Sequence, residues 1–260
     1  MITEFDHLVH LTKNPEEAKN TFIENGFNAV KGGRHPNWGT HNCLSFYRRL
    51  RYIEWIGLED LDKAEESNNP LIQQIVHDAG EEGLSQVALR VDDLTSFSDR
   101  LNEKGLRTIG PLKGERKKED GSLLQWAMLF IDETEEGPVR YPFFIQWGNS
   151  DHEREKEMAS LMEHSVGKPS LSYIGYNVRN PEVAFQRFAA LFHKSVTKRQ
   201  DTNEFGFYLE LPIGDFAFRF YDHATSHFED ISRKPVICGI RGYREKKAET
   251  IKGGVYQFTR

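Results

Sequence analysis

A chain of 260 residues with 34 basic and 40 acidic side chains, a net charge of −6, can bury a core without covalent staples and is too acidic for a general polyanion binder. Cys43 and Cys238 stand in no CxxC or other metal-ligand spacing, which points to a reduced, cytoplasmic protein, and no stretch has the length of a membrane span or the pattern of a secretion signal. With 18 phenylalanines against 4 methionines, the core is expected to be aromatic and built on sheets.

The first extended run, 5–11, carries His7 and meets Asn14-Pro15-Glu16-Glu17, an N-cap followed by proline at the first helical position and glutamate at the third. The helix it starts has Ala18, Phe22 and Ile23 on one face, and Gly26 is placed to end it. Gly32-Gly33-Arg34-His35-Pro36-Asn37-Trp38-Gly39-Thr40-His41-Asn42 follows as a loop dense in chemistry. Arg34 offers an anion fork, Trp38 an apolar wall, and His35, Thr40, His41 and Asn42 hydrogen-bonding groups for a small polar or anionic molecule. The same composition equally fits a plain connection whose glycines serve turns and whose Trp38 fills the core. Runs 43–47 and 51–56, turning at Arg48-Arg49-Leu50, read as a hairpin carrying Glu54.

The acidic stretch 59–82, with Leu71, Ile72, Ile75 and Val76 in one apolar stripe, reads as a bridging helix. The order then recurs. Residues 85–91 are extended and include Gln86; Asp93 caps a helix with Phe97 and Leu101 on its face and Gly105 at its end. Strands at 123–131 and 141–147 are separated by a turn around Glu135-Glu136-Gly137-Pro138, and 150–169 reads as a polar linker. A third copy begins after it, since Asn180-Pro181-Glu182 repeats Asn14-Pro15-Glu16 166 positions later. Phe188, Leu191 and Phe192 line its helix, 205–211 and 216–221 form a hairpin, and 235–240 and 255–258 are its remaining strands. The organisation expected is α+β: a domain over 1–149 made of modules 5–58 and 85–148, the linker, and a third related module over 170–260.

Superposing Asn14 on Asp93 sets Gln86 over His7, and matching 52–56 with 144–148 sets Gln146 over Glu54. Alternation turns His7, with Phe5 and Val9, and Glu54, with Tyr52 and Ile56, to one face of their strands. Four such N and O donors inside one concave sheet suit a divalent transition metal such as Zn, Ni, Mn or Fe. Only Glu54 is anionic, however, and the alternative is a His7 satisfied by Glu54 or by backbone. The third copy puts Tyr173 over His7 and Arg219 over Glu54, which removes the pair there. There is no GxSxG elbow, GxGxxG, P-loop or HExxH. The mixed charged runs 113–118 and 244–247 read as solvated loops, so nucleic acid is not an expected partner.

Asp6-His7-Leu8-Val9, the 32–42 loop and Tyr52-Ile53-Glu54, set in repeated units, resemble the glyoxalase-like domain of the vicinal oxygen chelate superfamily over most of 5–148. The resemblance implies paired βαβββ modules forming a cup-shaped mixed sheet, with His7 and Glu54 at metal-ligand positions and Gln86 and Gln146 at the other two. It implies a divalent metal and lyase, isomerase or dioxygenase-type chemistry on a small molecule, or, as in other members, metal-free sequestration of a ligand. Glyoxalase I carries a glutamate where Gln146 stands; an amide cannot take up that proton, so that activity is not expected. Arg34, His35 and His41 are the catalytic candidates, and Arg34, His35, Trp38, Thr40 and Asn42 the substrate-binding ones, with Tyr52, Trp55 and Trp126 as further aromatic lining. Open sheet edges suggest a homodimer.

Overall fold

The computed structural model describes residues 3–117, 123–133, 136–192, 197–229 and 231–260; Lys118 of the mixed charged run and Glu135 of the expected turn lie outside them. The first unit is β1 (Thr3–Leu11), α1 (Pro15–Glu24), β2 (Val30–His35), β3 (Thr40–Tyr47) and β4 (Arg51–Leu58). Two short helices, α2 (Leu61–Glu65) and α3 (Pro70–Asp78), lead to β5 (Gly83–Val91), α4 (Leu94–Glu103), β6 (Thr108–Lys117), β7 (Leu123–Ile131) and β8 (Phe143–Trp147). After α5 (Asp151–Met158) and a 3-10 turn (Ala159–Met162) come β9 (Ser170–Val178), α6 (Pro181–Ala189), β10 (Arg199–Asn203), β11 (Gly206–Ile213) and β12 (Phe216–Asp222). The chain closes with β13 (Ile237–Arg241), β14 (Lys247–Ile251) and β15 (Gly254–Thr259).

Among the described residues these strands form an eight-stranded sheet, β2-β3-β4-β1-β5-β8-β7-β6, and a seven-stranded sheet, β10-β11-β12-β9-β13-β15-β14. Each has the same internal symmetry. β1 pairs parallel with β4 and antiparallel with β5, as β9 does with β12 and β13. The third unit therefore has a companion, a reduced fourth one of β13, β14 and β15 that lacks the helix and first hairpin strand. The capping reading holds at each helix start: the Asn14, Asp93 and Asn180 side chains accept from the backbone N–H of Glu17, of Thr95 and Ser96, and of Val183. The expected bridging helix is split, because Asn69 caps a new start at Pro70, whose missing N–H costs nothing there. Strand β2 lies where an irregular loop was expected; Lys31-Gly32-Gly33-Arg34 has little strand preference of its own, and pairing with β3 imposes the conformation.

One aromatic core joins the halves. Phe22 of α1, Phe97 of α4 and Phe188 of α6 share it with residues of both sheets, and Phe5 stacks on Phe216 with ring centroids 4.0 Å apart. Trp55, expected to line the cup, is fully buried here against Phe22. Both cysteines are free and buried. The opposite face of the first sheet is the hollow one. No helix among the described residues is long and apolar enough to cross a membrane.

His10 ties the two halves across this core. Its Nε2 donates to the Lys252 carbonyl at 2.8 Å, which leaves Nδ1 to accept from the Tyr256 hydroxyl at 2.7 Å. Burial lowers its pKa to about 4, against the opposing pull of the Lys252 carbonyl and Glu82. Because the folded value lies below the free value of 6.5, the contribution is fully present above pH 6.5 and is lost as pH falls through about 4. In urea titrations the stability difference between wild type and His10→Gln should therefore shrink by about 3 kcal/mol over that window; a pH-independent difference would contradict it.

Candidate functional site

Strand β1 departs from simple alternation at one point. Phe5 pairs with Leu89 and His7 with Ala88, so Asp6 is an extra residue bulged out of the ladder. The bulge resets the pleat: Phe5 faces the core between the sheets, whereas His7 and Val9 face the hollow. Phe5 and His7 thus do not share a face. The same bulge brings the neighbouring Asp6 and His7 side chains together, with Asp6 Oδ1 2.7 Å from His7 Nδ1 and both groups buried.

Asp6 is crowded with donors. Its Oδ2 accepts from Trp147 Nε1 at 3.1 Å and Arg90 Nη1 at 3.2 Å, and Arg154 Nη2 stands 3.7 Å away. Burial alone would raise the carboxyl, but the His7 hydrogen bond and the charges of Arg154, His7 and Arg90 override it and hold the pKa at about 2. An ionised Asp6 can only accept, so His7 Nδ1 is the donor, and in the neutral ring the lone pair sits on Nε2. Nε2 lies 3.7 Å from Glu54 Oε2, beyond hydrogen-bond distance. Glu54 is itself fixed, its Oε1 accepting from Asn42 Nδ2 at 2.5 Å, while Asn42 Oδ1 accepts from the Gly33 N–H at 2.8 Å. A Cβ at Gly32 would lie 2.0 Å from Asn42 Oδ1, and one at Gly33 2.8 Å from Arg116 Nη1. The paired glycines are there for close approach.

The hollow has a volume of about 420 Å³. Trp38, Trp126, Trp147, Tyr52, Phe46 and Phe143 supply its aromatic wall, and His7 stacks on Tyr52 with centroids 4.3 Å apart. Burial, with Asp6 and Glu54 nearby, pushes the Tyr52 phenol well up. The 150–169 segment does more than link: α5 and the following turn lay Arg154, Met158 and Leu161 against the hollow. Its far end is anchored by His164, whose Nδ1 accepts from the Asn28 N–H and whose Nε2 donates to the Phe46 carbonyl, both at 2.9 Å.

The sequence-derived candidates separate here. His35, Trp38 and Asn42 line the hollow; Thr40 sits behind them, 3.0 Å from His35 Nδ1. Burial lowers the His35 pKa, Glu54 opposing and Arg116 adding to the effect. Arg34, expected as the anion fork, is exposed and pairs with Glu59 at 3.0 Å, and His41 lies outside the hollow. Trp126 lines the hollow as expected. Asp6, Arg90, Arg116 and Arg154 carried no signal in the strand pattern, apart from the adjacency of Asp6 to His7.

The four-donor metal set does not assemble. Gln86 pairs across from Val9, donates to Gln74 Oε1 at 3.1 Å and accepts from the Val87 N–H at 2.9 Å. Gln146 points away, its Oε1 accepting from the Leu94 N–H at 3.0 Å. The parallel registers explain the mismatch. Val9 pairs with Glu54, and its counterpart Ala88 pairs with Phe143, so a phenyl ring stands where Glu54 has its equivalent. A divalent ion needs three or four donors at about 2 Å, and among the described residues no group of three His, Cys, Asp or Glu side chains could supply them. The donors present do not fit the resident metal that the sequence suggested.

In the second sheet the registers set Tyr173 in the place of His7 and Arg219 in that of Glu54. There Arg219 is sandwiched between the rings of Tyr173 and Tyr208, 3.9 and 4.5 Å from their centroids, and bonds Glu210 at 2.9 Å. A Cβ at Gly239 would meet Tyr173 at 2.1 Å, so the glycine lets that ring pack flat across the sheet.

A family model described as a glyoxalase-like domain matches residues 5–192. The crystal structure of a hypothetical protein from Staphylococcus aureus is similar with a TM-score of 0.83 and 22% identity, covering 100% of both chains. That of a catechol 2,3-dioxygenase has a TM-score of 0.52 and 10% identity, covering 99% of this chain and 87% of that chain. At these identities the likeness is one of fold. No curated protein matches the sequence.

The depressed Asp6 pKa has a measurable consequence. Its contribution to stability is present above about pH 4 and lost as pH falls through about 2. The stability difference between wild type and Asp6→Asn should therefore shrink by about 2 kcal/mol over that acid range in urea titrations. A pH-independent difference would mean that Asp6 is not held ionised by its neighbours.

Proposed function

Because the chain belongs to the glyoxalase-like domain family, we propose that it is a lyase- or isomerase-type enzyme that binds a small molecule in the first sheet's hollow and moves a proton through His7 without a resident metal. The observation that carries this reading is the Asp6–His7 pair at 2.7 Å, with Nε2 turned toward Glu54 inside an aromatic cavity. Trp38, Trp126 and Trp147 hold the apolar body of the substrate and keep water from the reacting atoms. Nε2 takes a proton from the substrate; Asp6 fixes the ring orientation and stabilises the imidazolium that forms. Return of that proton to a neighbouring atom completes an isomerisation, and departure of a leaving group completes an elimination. Glu54, aligned by Asn42, faces the same space as a hydrogen-bond acceptor.

A second reading, ligand sequestration without reaction, is favoured by the predominantly apolar lining. Thermal-shift screening of small oxo and hydroxy compounds should yield stabilising molecules whose effect survives EDTA. In D2O the wild type should exchange a carbon-bound proton of such a compound, and His7→Gln should slow that exchange by about a hundredfold or more while binding persists. Stabilisation abolished by chelator overturns the metal-free reading. Binding without exchange in the wild type leaves sequestration as the function.

A further inference from the structure

Arg154 is fully buried, yet among the described residues none of its three guanidinium nitrogens makes a hydrogen bond. It lines the hollow from α5, its guanidinium 4.3 Å from the centre of the Trp147 ring. The nearest acids are Asp6 and Asp151, each at 3.7 Å, beyond hydrogen-bond reach. Asp6 meets it only as a charge at ion-pair distance, its hydrogen bonds going to His7, Arg90 and Trp147. Asp151 is mostly exposed and also pairs with Arg90 at 3.3 Å. A buried guanidinium with five donors and no acceptor is costly, and where it borders a cavity the natural remedy is an oxyanion brought in by the ligand.

We infer that Arg154 is a carboxylate-recognition subsite, and that the ligand is a small organic acid with an aromatic or aliphatic body and a single carboxylate. The planar guanidinium presents a fork that matches a carboxylate in two-point fashion, and the adjoining Trp147 and Trp126 faces, 5.9 Å apart between centroids, receive the body. Glu54 lines the hollow beside His7, so like-charge repulsion disfavours a carboxylate there and leaves the Arg154 guanidinium as the place where one is accepted. Arg116 lines the hollow as well and adds a second positive charge to it. This inference rests on the reading of the hollow as a ligand site and adds the ligand's chemical class.

The test compares acids with their neutral isosteres on the full chain. Phenylacetate and indole-3-acetate are titrated against phenylacetamide and indole-3-acetamide, with quenching of the cavity tryptophans and thermal shift as readouts. Wild type should bind the acids roughly ten- to a hundredfold more tightly than the amides. Arg154→Met, which retains an apolar contact with Trp147, should abolish that preference and keep amide binding; should it fail to fold, Arg154→Lys and the wild-type contrast serve in its place. Equal binding of acids and amides, a preference that survives Arg154→Met, or no saturable binding of either acid at millimolar concentration overturns the assignment. Amide binding that equals acid binding sinks only the carboxylate subsite, whereas chelator-sensitive binding of all the probes sinks only the metal-free reading.

Discussion

The Asp6–His7 hydrogen bond organises the first sheet's hollow, and it exists because one extra residue interrupts the central strand. In a regular strand adjacent side chains point to opposite faces, so an aspartate beside a histidine could not hold it. The bulge removes that restriction. It also buries a carboxylate, which survives ionised only because Arg90, Arg154, Trp147 and His7 surround it with donors and charge. Those four come from β1, β5, β8 and α5, so the pair ties both modules and the connecting helix into one site. A histidine fixed at Nδ1 has a defined tautomer and orientation, which is what a proton-transfer group needs.

The molecule applies one architecture twice to different ends. In the first sheet the units leave a cavity walled by aromatic side chains. In the second, the positions equivalent to His7 and Glu54 hold Tyr173 and Arg219, which pack on each other beside Tyr208. The second sheet contributes its other face, through the shared aromatic core, and contacts such as Arg51 to Asp215 at 2.7 Å and to the Leu171 carbonyl at 3.1 Å hold the halves in place. This division gives the first sheet a rigid backing, so that the bulge and its charged shell keep their geometry.

Electrostatics in the hollow runs against the metal expectation. A site for a dication concentrates anionic donors on one point; here Glu54 is held by Asn42, Phe143 occupies the symmetry-equivalent position, and Arg116 and Arg154 add positive charge. A hollow of this character suits a ligand that brings negative charge with it.

Much of the fold was legible in the chain itself. The Asn-Pro-Glu starts at Asn14 and Asn180, the Asp93 cap and the strand–helix–strand order between them mark local events of capping and patterning, which a few consecutive residues determine. His7, Glu54, Trp38 and Asn42 could be singled out for the same reason, by strand position and side-chain chemistry. What only the tertiary structure decided are matters of register and convergence. A bulge shifts the pleat and long-range pairing sets the register, neither with a sequence signature, so the shared face of Phe5 and His7, the pairing of Gln146 with Glu54 and the inward aim of Arg34 could not be judged from spacing. Arg154 lay in a stretch with no apolar period, and its burial arises from α5 docking over the hollow, through contacts with residues far away in sequence. Local propensity selects elements; which side chains meet depends on long-range packing, which no short window of sequence contains.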